Sequence, residues 1–125
     1  MPSLQVFIVR CPDGVLRASK EVVLAGFDYA HLRPVLASFA QELYLLHKLQ
    51  HDRIVSVYGA VACVDRLALV MEYMPRGSLR KVLDAILADD QQPVEFSAVV
   101  TECDVILQDV AEGMAFLHSR YVQAS

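Results

Sequence analysis

One segment of this chain has the pattern of an amphipathic helix with a single acidic residue on its apolar face. This segment restricts the possible folds more than any other part of the sequence. In residues 38–60, SFAQELYLLHKLQHDRIVSVYGA, apolar residues recur at the i, i+3, i+4, i+7 spacing of an inward-facing helix surface. Glu42 stands on that surface, where leucine is usual. A buried carboxylate needs a partner. The alternative is a rotated helix in which Glu42 lies at the edge of the apolar stripe and is solvated.

The length and the net charge of the chain restrict the number of its domains and the classes of molecule that it can bind. The chain has 125 residues, enough for one domain with a hydrophobic core. Because its hydrophobic fraction is 55%, apolar surface is expected to remain for a protein partner or for self-association. The net charge of −4, with no basic cluster, argues against nucleic acid and against an anionic membrane surface as partners.

Signals for export, for a membrane span and for a metal site are missing from the sequence pattern. No apolar run approaches the roughly 18 residues of a membrane span, and the first run is too short for a signal peptide, so we expect an intracellular, cytoplasmic protein. The three cysteines are widely spaced, without a C-x-x-C pair, which predicts buried free thiols and no metal site. They are Cys11, Cys63 and Cys103.

Turn residues and apolar alternation predict an α+β layer of five strands and one inserted helix. The predicted strands are residues 4–9, 15–18, 22–25, 54–63 and 67–72. Pro34 is expected in the first turn of a helix that runs to about Gln50.

The pattern becomes helical after Pro75 and Gly77. Ser78 is a good N-cap for a helix with one apolar face, which a polar loop at residues 89–93 closes. A last helix is expected near residues 101–118, where Gly113 indicates close packing.

Three blocks, taken in their order and spacing, resemble the first half of a protein kinase domain and are most similar to the tyrosine-kinase-like (TKL) branch. They are FAQELYLLHKLQHDRIVSVYGA, LALVMEYMPRGSLRKVL and DVAEGMAFLHSR. The resemblance implies a protein kinase-like N-terminal lobe with a five-stranded antiparallel sheet and one helix over about residues 1–74. It also implies two helices of the C-terminal lobe over about residues 75–125.

The same resemblance implies an adenine site that binds ATP, with no metal site evident. Met71 matches the gatekeeper position. The backbone carbonyl of Glu72 and the backbone amide of Met74 match the hinge groups that receive adenine. Val15 and Val23 match the aliphatic lid and floor of the adenine ring, although both side chains would serve equally in a plain core.

The phosphate-binding part of the family pattern is not reproduced under this alignment. When Val15 is aligned with the family's valine, Ile8, Arg10 and Asp13 occupy three positions that are glycine in the family. Side chains there would crowd a phosphate, and the carboxylate of Asp13 would repel it.

Glu42 matches the family's helix glutamate, which pairs with a strand lysine. The run VVLAGF places Ala25 at the lysine position. Lys20 can reach in from a neighbouring strand, but a solvated turn lysine is the preferred interpretation. Without a lysine, Glu42 must rotate outward, find Arg17 or another donor, or take up a proton.

The last residues read FLHSRYVQAS, where the family continues to His-Arg-Asp and later to Asp-Phe-Gly. No catalytic base or metal-binding aspartate can therefore be assigned. We expect a kinase-like fragment with an adenine-binding hinge that is not catalytic alone. The alternatives are a noncatalytic, pseudokinase-like interaction module and an incomplete gene model of an active kinase.

Overall fold

The computed structural model describes residues 4–88 and 96–124. In chain order the elements are β1 (Leu4–Arg10), β2 (Leu16–Val23), α1 (Tyr29–Lys48), β3 (Val57–Ala62), β4 (Arg66–Glu72), α2 (Leu79–Ala88) and α3 (Phe96–Ala124). The chain divides into two compact units. The first comprises residues 1–50 and 54–73, and the second comprises residues 51–53 and 74–125. The predicted α+β fold is confirmed.

The first unit is built on an antiparallel sheet with the strand order β1-β2-β4-β3. β2 pairs with β1 on one side and with β4 on the other. The apolar side chains that are buried most completely lie on the inner strand β4 and just after β2. They are Leu24, Leu67, Ala68 and Leu69.

The sheet has four strands within the described residues, so the prediction of five is wrong. The two short strands expected at residues 15–18 and 22–25 are one continuous strand, β2. The polar run Ser19-Lys20-Glu21 suggested a turn, but each of its side chains has a polar partner. The hydroxyl of Ser19 donates to the carboxylate of Glu21 at 2.9 Å, and Lys20 donates to Glu42.

Helix α1 begins earlier than the sequence pattern predicted. Asp28 is its N-cap, and its carboxylate accepts a hydrogen bond from the backbone N–H of His31 at 3.0 Å. Pro34 therefore lies inside the helix and not in its first turn. The helix ends at Lys48, close to the predicted end.

Helix α2 of the second unit begins at Leu79, directly after Ser78, the predicted N-cap. The backbone N–H of Lys81 donates to the Ser78 hydroxyl oxygen at 3.3 Å, which confirms Ser78 as the capping residue. The polar loop predicted at residues 89–93 lies outside the described residues.

Helix α3 extends beyond both ends of its predicted range. Gly113 is buried on it, and a methyl group there would lie 3.3 Å from the carbonyl oxygen of Arg53. The close packing predicted at this glycine is therefore confirmed. Several apolar side chains of the helix are exposed, among them Leu107, Val110 and Met114.

Candidate functional site

Lys20 and Glu42 form an ion pair between the sheet and helix α1. The Nζ atom of Lys20 lies 2.8 Å from the Oε1 atom of Glu42. Lys20 stands in the middle of β2, opposite Leu69 on β4, and is not the solvated turn lysine that the sequence suggested. The two side chains are 30% and 37% exposed. Glu42 therefore has a cationic partner, as its place on the apolar helix face required.

Ala25 lies in the turn that follows β2, so it does not occupy the position of a strand lysine. The segment Arg17-Ala18-Ser19-Lys20, in which Lys20 meets Glu42, has an alanine and a lysine at the same spacing as the kinase motif V-A-I-K. The apolar run VVLAGF is closer to V-A-I-K in hydrophobicity, because the segment that ends at Lys20 has arginine and serine at the two apolar positions of that motif. The alanine two positions before Lys20, as in V-A-I-K, was the signal that could have found it.

The residues aligned with the family's glycines are part of a β-hairpin. Ile8 and Arg10 are paired strand residues of β1, and Asp13 lies in the turn between β1 and β2. That these side chains would crowd and repel a phosphate stays a prediction. In the structure they form a paired strand and its turn.

Arg17 is not the donor for Glu42. Its guanidinium forms two hydrogen bonds to the Asp13 carboxylate, at 2.8 and 2.9 Å, and lies 3.7 Å from the centre of the Tyr58 ring. The hydrogen bonds from Arg17, followed by the bond from the backbone N–H of Val15, hold the pKa of Asp13 below its usual value.

Met71 lies on the same face of the sheet as Lys20. It is half-buried on β4 and stands opposite Ala18 on β2. Ala18 and Lys20 are two residues apart on one strand, so their side chains share a face. The sequence alignment missed Ala18 as a neighbour of Met71.

The two residues predicted to form the hinge fall in different units. Glu72 ends β4 in the first unit, where its backbone N–H donates to the Ser56 carbonyl at 2.8 Å and its carboxylate accepts from the Ser56 N–H at 3.3 Å. Met74 belongs to the second unit and is exposed. Their adenine contacts stay predictions.

Val15 and Val23 are not brought together. Val15 precedes β2 and Val23 ends it, so they are separated by the length of an eight-residue strand, about 26 Å at the usual rise. Both are exposed. Because of that separation they do not form the two sides of one ring-sized site. Ala18 and Ile8, which face each other across β1 and β2, are better placed beside Met71.

The structure also bears on the predictions about metal ligands, cysteines and membrane spans. In residues 4–88 and 96–124, no three histidine, cysteine, aspartate or glutamate side chains lie close enough to hold a metal ion. Cys63 is exposed, so the prediction of buried thiols is wrong for it, whereas Cys11 and Cys103 are half-buried. No helix in these residues has the length and apolarity needed to cross a membrane.

The sequence family described as protein tyrosine and serine/threonine kinase matches residues 14–122. The chain belongs to this family. It is 35% identical over 88 residues to a probable serine/threonine-protein kinase of Dictyostelium discoideum, an alignment that covers 70% of this chain and 16% of that protein. It is 33% identical over 127 residues to the human NT-3 growth factor receptor, covering 94% of this chain and 15% of the receptor.

A third relative extends the same comparison. The chain is 38% identical over 89 residues to the BDNF/NT-3 growth factors receptor of Gallus gallus, covering 66% of this chain and 11% of that protein. The chain thus spans 11–16% of the length of these three relatives. In protein kinases an ion pair between a strand lysine and a helix glutamate belongs to the phosphate-binding machinery, and Lys20 and Glu42 have this arrangement.

Proposed function

We propose that this chain is the nucleotide-recognising part of a protein kinase domain of the TKL branch, with Lys20 as its phosphate-binding lysine. The observation that carries the proposal is the 2.8 Å contact between Lys20 Nζ and Glu42 Oε1. A lysine ammonium has three N–H donors, and Glu42 accepts from one of them. Because the Lys20 side chain is 30% exposed, an anionic oxygen can approach the others.

The neighbouring surface suits the adenine end of ATP. Ala18 is small and lies opposite Met71, so a flat ring can approach the sheet there. Arg17, the residue opposite Glu72, is three positions from Lys20, which is about 10 Å along the strand. We propose Ala18 and Met71 as apolar contacts and the Glu72 carbonyl as a hydrogen-bond acceptor. The proposal keeps Met74 as the second hinge group on the strength of the family resemblance.

The proposed activity of the 125-residue chain is binding without phosphotransfer. Phosphoryl transfer in protein kinases needs a catalytic-loop aspartate and a metal-binding aspartate in addition to the lysine and glutamate. The sequence contains neither His-Arg-Asp nor Asp-Phe-Gly. Bound ATP would supply the transferable phosphoryl group. The residues of this chain would hold and orient the ATP molecule.

A thermal-shift titration with ATP, with and without Mg²⁺, tests the nucleotide proposal. The expected result is a saturable rise in melting temperature, since a ligand at 100 times its Kd stabilises a protein by about 2.7 kcal/mol. Lys20→Met should abolish the rise. Lys48→Met, which removes the same charge from the exposed end of α1, should retain it. No saturable shift in the unsubstituted chain would refute the proposal.

Apolar exposure on α3 favours a second candidate, a noncatalytic protein-interaction module. Val105, Leu107 and Val110 are 52%, 66% and 55% exposed on this helix. Leu107, Val110 and Met114 have the i, i+3, i+7 spacing of one helix face, and a large contiguous apolar patch marks an interaction site. Size-exclusion chromatography with light scattering tests this candidate. A concentration-dependent mass that Leu107→Lys reduces to the monomer would support it, and a monomer at every concentration together with no captured partner would refute it.

A further inference from the structure

Strand β1 forms one edge of the sheet. Among the described residues, it pairs with β2 on one side and with no strand on the other. Four of its apolar side chains are exposed, and they lie on both faces of the strand. They are Leu4, Val6, Phe7 and Ile8. We propose that this edge binds the same edge of a second copy of this chain, so that two four-stranded sheets join into one antiparallel sheet of eight strands.

The hydrogen bonds of the β1–β2 hairpin show which backbone groups of β1 remain available. The N–H of Cys11 donates to the carbonyl of Val15, directly beyond the paired residues of the two strands. Hydrogen-bonded pairs recur at every second residue of an antiparallel ladder, so Gln5, Phe7 and Val9 direct their backbone groups toward β2. The other residues of β1 therefore direct their N–H and C=O groups toward the open edge. They are Leu4, Val6, Ile8 and Arg10.

Two copies of this edge are complementary in one antiparallel register. With Phe7 on the two-fold axis, Val6 stands opposite Ile8 of the second copy. Leu4 then stands opposite Arg10. Each outward-directed residue donates one hydrogen bond, which makes about eight across the axis, and specific protein interfaces carry about ten. The two Phe7 rings meet at a non-hydrogen-bonded position, where opposite Cα atoms are only about 4.5 Å apart and side chains interact most closely.

Charge and regularity favour this pairing at β1 and not at the other edge of the sheet. Arg10 is the only charged residue of β1, and in this register it faces Leu4, so no like charges meet. The Arg10 guanidinium donates to the Gly14 carbonyl at 3.2 Å, so it lies against the hairpin turn. The other edge strand, β3, has a register irregularity between Val57 and Gly59, a feature that protects edge strands from pairing. β1 is regular over all seven residues and lacks this protection.

Sedimentation velocity of the full 125-residue chain over a concentration series tests the inference. A concentration-dependent dimer is expected. Val6→Pro removes an outward-directed N–H without breaking a bond to β2, so it should weaken the dimer by at least about tenfold. Val6→Thr keeps the N–H group and the β-branched shape and should retain the dimer. A monomer at every concentration would overturn the inference, and so would a dimer that Leu107→Lys dissociates but Val6→Pro does not.

Disulfide cross-linking tests the register without a proline substitution. In a chain whose three cysteines are replaced by serine, Phe7→Cys should form a linked dimer in oxidised glutathione, because opposite Cα atoms at the axis are within disulfide reach. Gln5→Cys is the matched control on the same face. It lies two residues from the axis, about 14 Å from its copy, and should not cross-link. No linked dimer with Phe7→Cys, or equal cross-linking with Gln5→Cys, would overturn the inference.

Discussion

Removing the charge of Lys20 or Glu42 is expected to destabilise the first unit by a modest, measurable amount. Two unit charges 2.8 Å apart attract by roughly 1.5 kcal/mol in a water-like dielectric. Both side chains are about one-third exposed, so solvent screening and side-chain ordering reduce this value. A double-mutant cycle with Lys20→Met and Glu42→Gln should therefore give a coupling energy of about 1 kcal/mol.

Urea denaturation followed by tyrosine fluorescence is the appropriate assay. Four of the five tyrosines, Tyr29, Tyr44, Tyr58 and Tyr73, belong to the first unit, so the signal reports mainly on that unit. A second cycle at Arg66 and Glu21 is the matched control. The charged atoms of that pair are 3.7 Å apart and Arg66 is 53% exposed. Its coupling should be about 0.3 kcal/mol or less. Equal coupling energies for the two pairs would refute the claim that the contact between Lys20 and Glu42 stabilises the first unit more than an ordinary surface ion pair does.

Three further predictions concern catalysis, packing and pH. A radiolabelled-ATP assay should show no phosphotransfer by this chain, and incorporation that Glu42→Gln abolishes would contradict this. Gly113→Ala should destabilise the protein by about 1 kcal/mol despite its higher helix propensity, because the methyl group meets the Arg53 carbonyl at 3.3 Å; a raised urea midpoint would contradict the packing. Hydrogen bonds from the His31 side chain and backbone N–H lower the pKa of Asp28 below 3.8 on folding. The folded state therefore binds fewer protons, and the stability that this carboxylate contributes is present above pH 3.8 and is lost as the pH falls through its folded pKa. In circular-dichroism melts, Asp28→Ala should lower the melting temperature at neutral pH and the difference should shrink in acid, whereas Asp28→Asn should retain most of the cap; a difference independent of pH would contradict this.

Local patterns were sufficient for the features that depend on a few neighbouring residues. Helical spacing indicated that Glu42 faces the sheet, where it pairs with Lys20 although its side chain is 37% exposed. The cap at Ser78 followed from capping chemistry, and the packing at Gly113 followed from its place in an apolar helix. The Ser78 cap is set by the helix's own geometry. The helical pattern was enough to pick out the positions of Glu42 and Gly113, although their partners, Lys20 and Arg53, lie elsewhere in the chain.

The errors arose where a distant partner decides the local structure. The polar residues around Lys20 suggested a turn, because nothing within a few positions shows that Glu42, 22 residues away, accepts its hydrogen bond. This shifted the alignment by five residues and produced the misplaced lysine position at Ala25. The same shift led to the pairing of Val15 with Val23, which stand at opposite ends of β2.

Covalent labelling with an acyl phosphate of ATP tests the central claim, that Lys20 is the lysine beside the nucleotide phosphates. Such a probe transfers its acyl group to a lysine amine near the phosphates, forming an amide and releasing ATP. The chain has three lysines, Lys20, Lys48 and Lys81, so peptide mass spectrometry can assign the label. The expected result is labelling of Lys20 that excess ATP suppresses. Labelling of Lys48 and Lys81 alone, or labelling of Lys20 that ATP does not reduce, would contradict it.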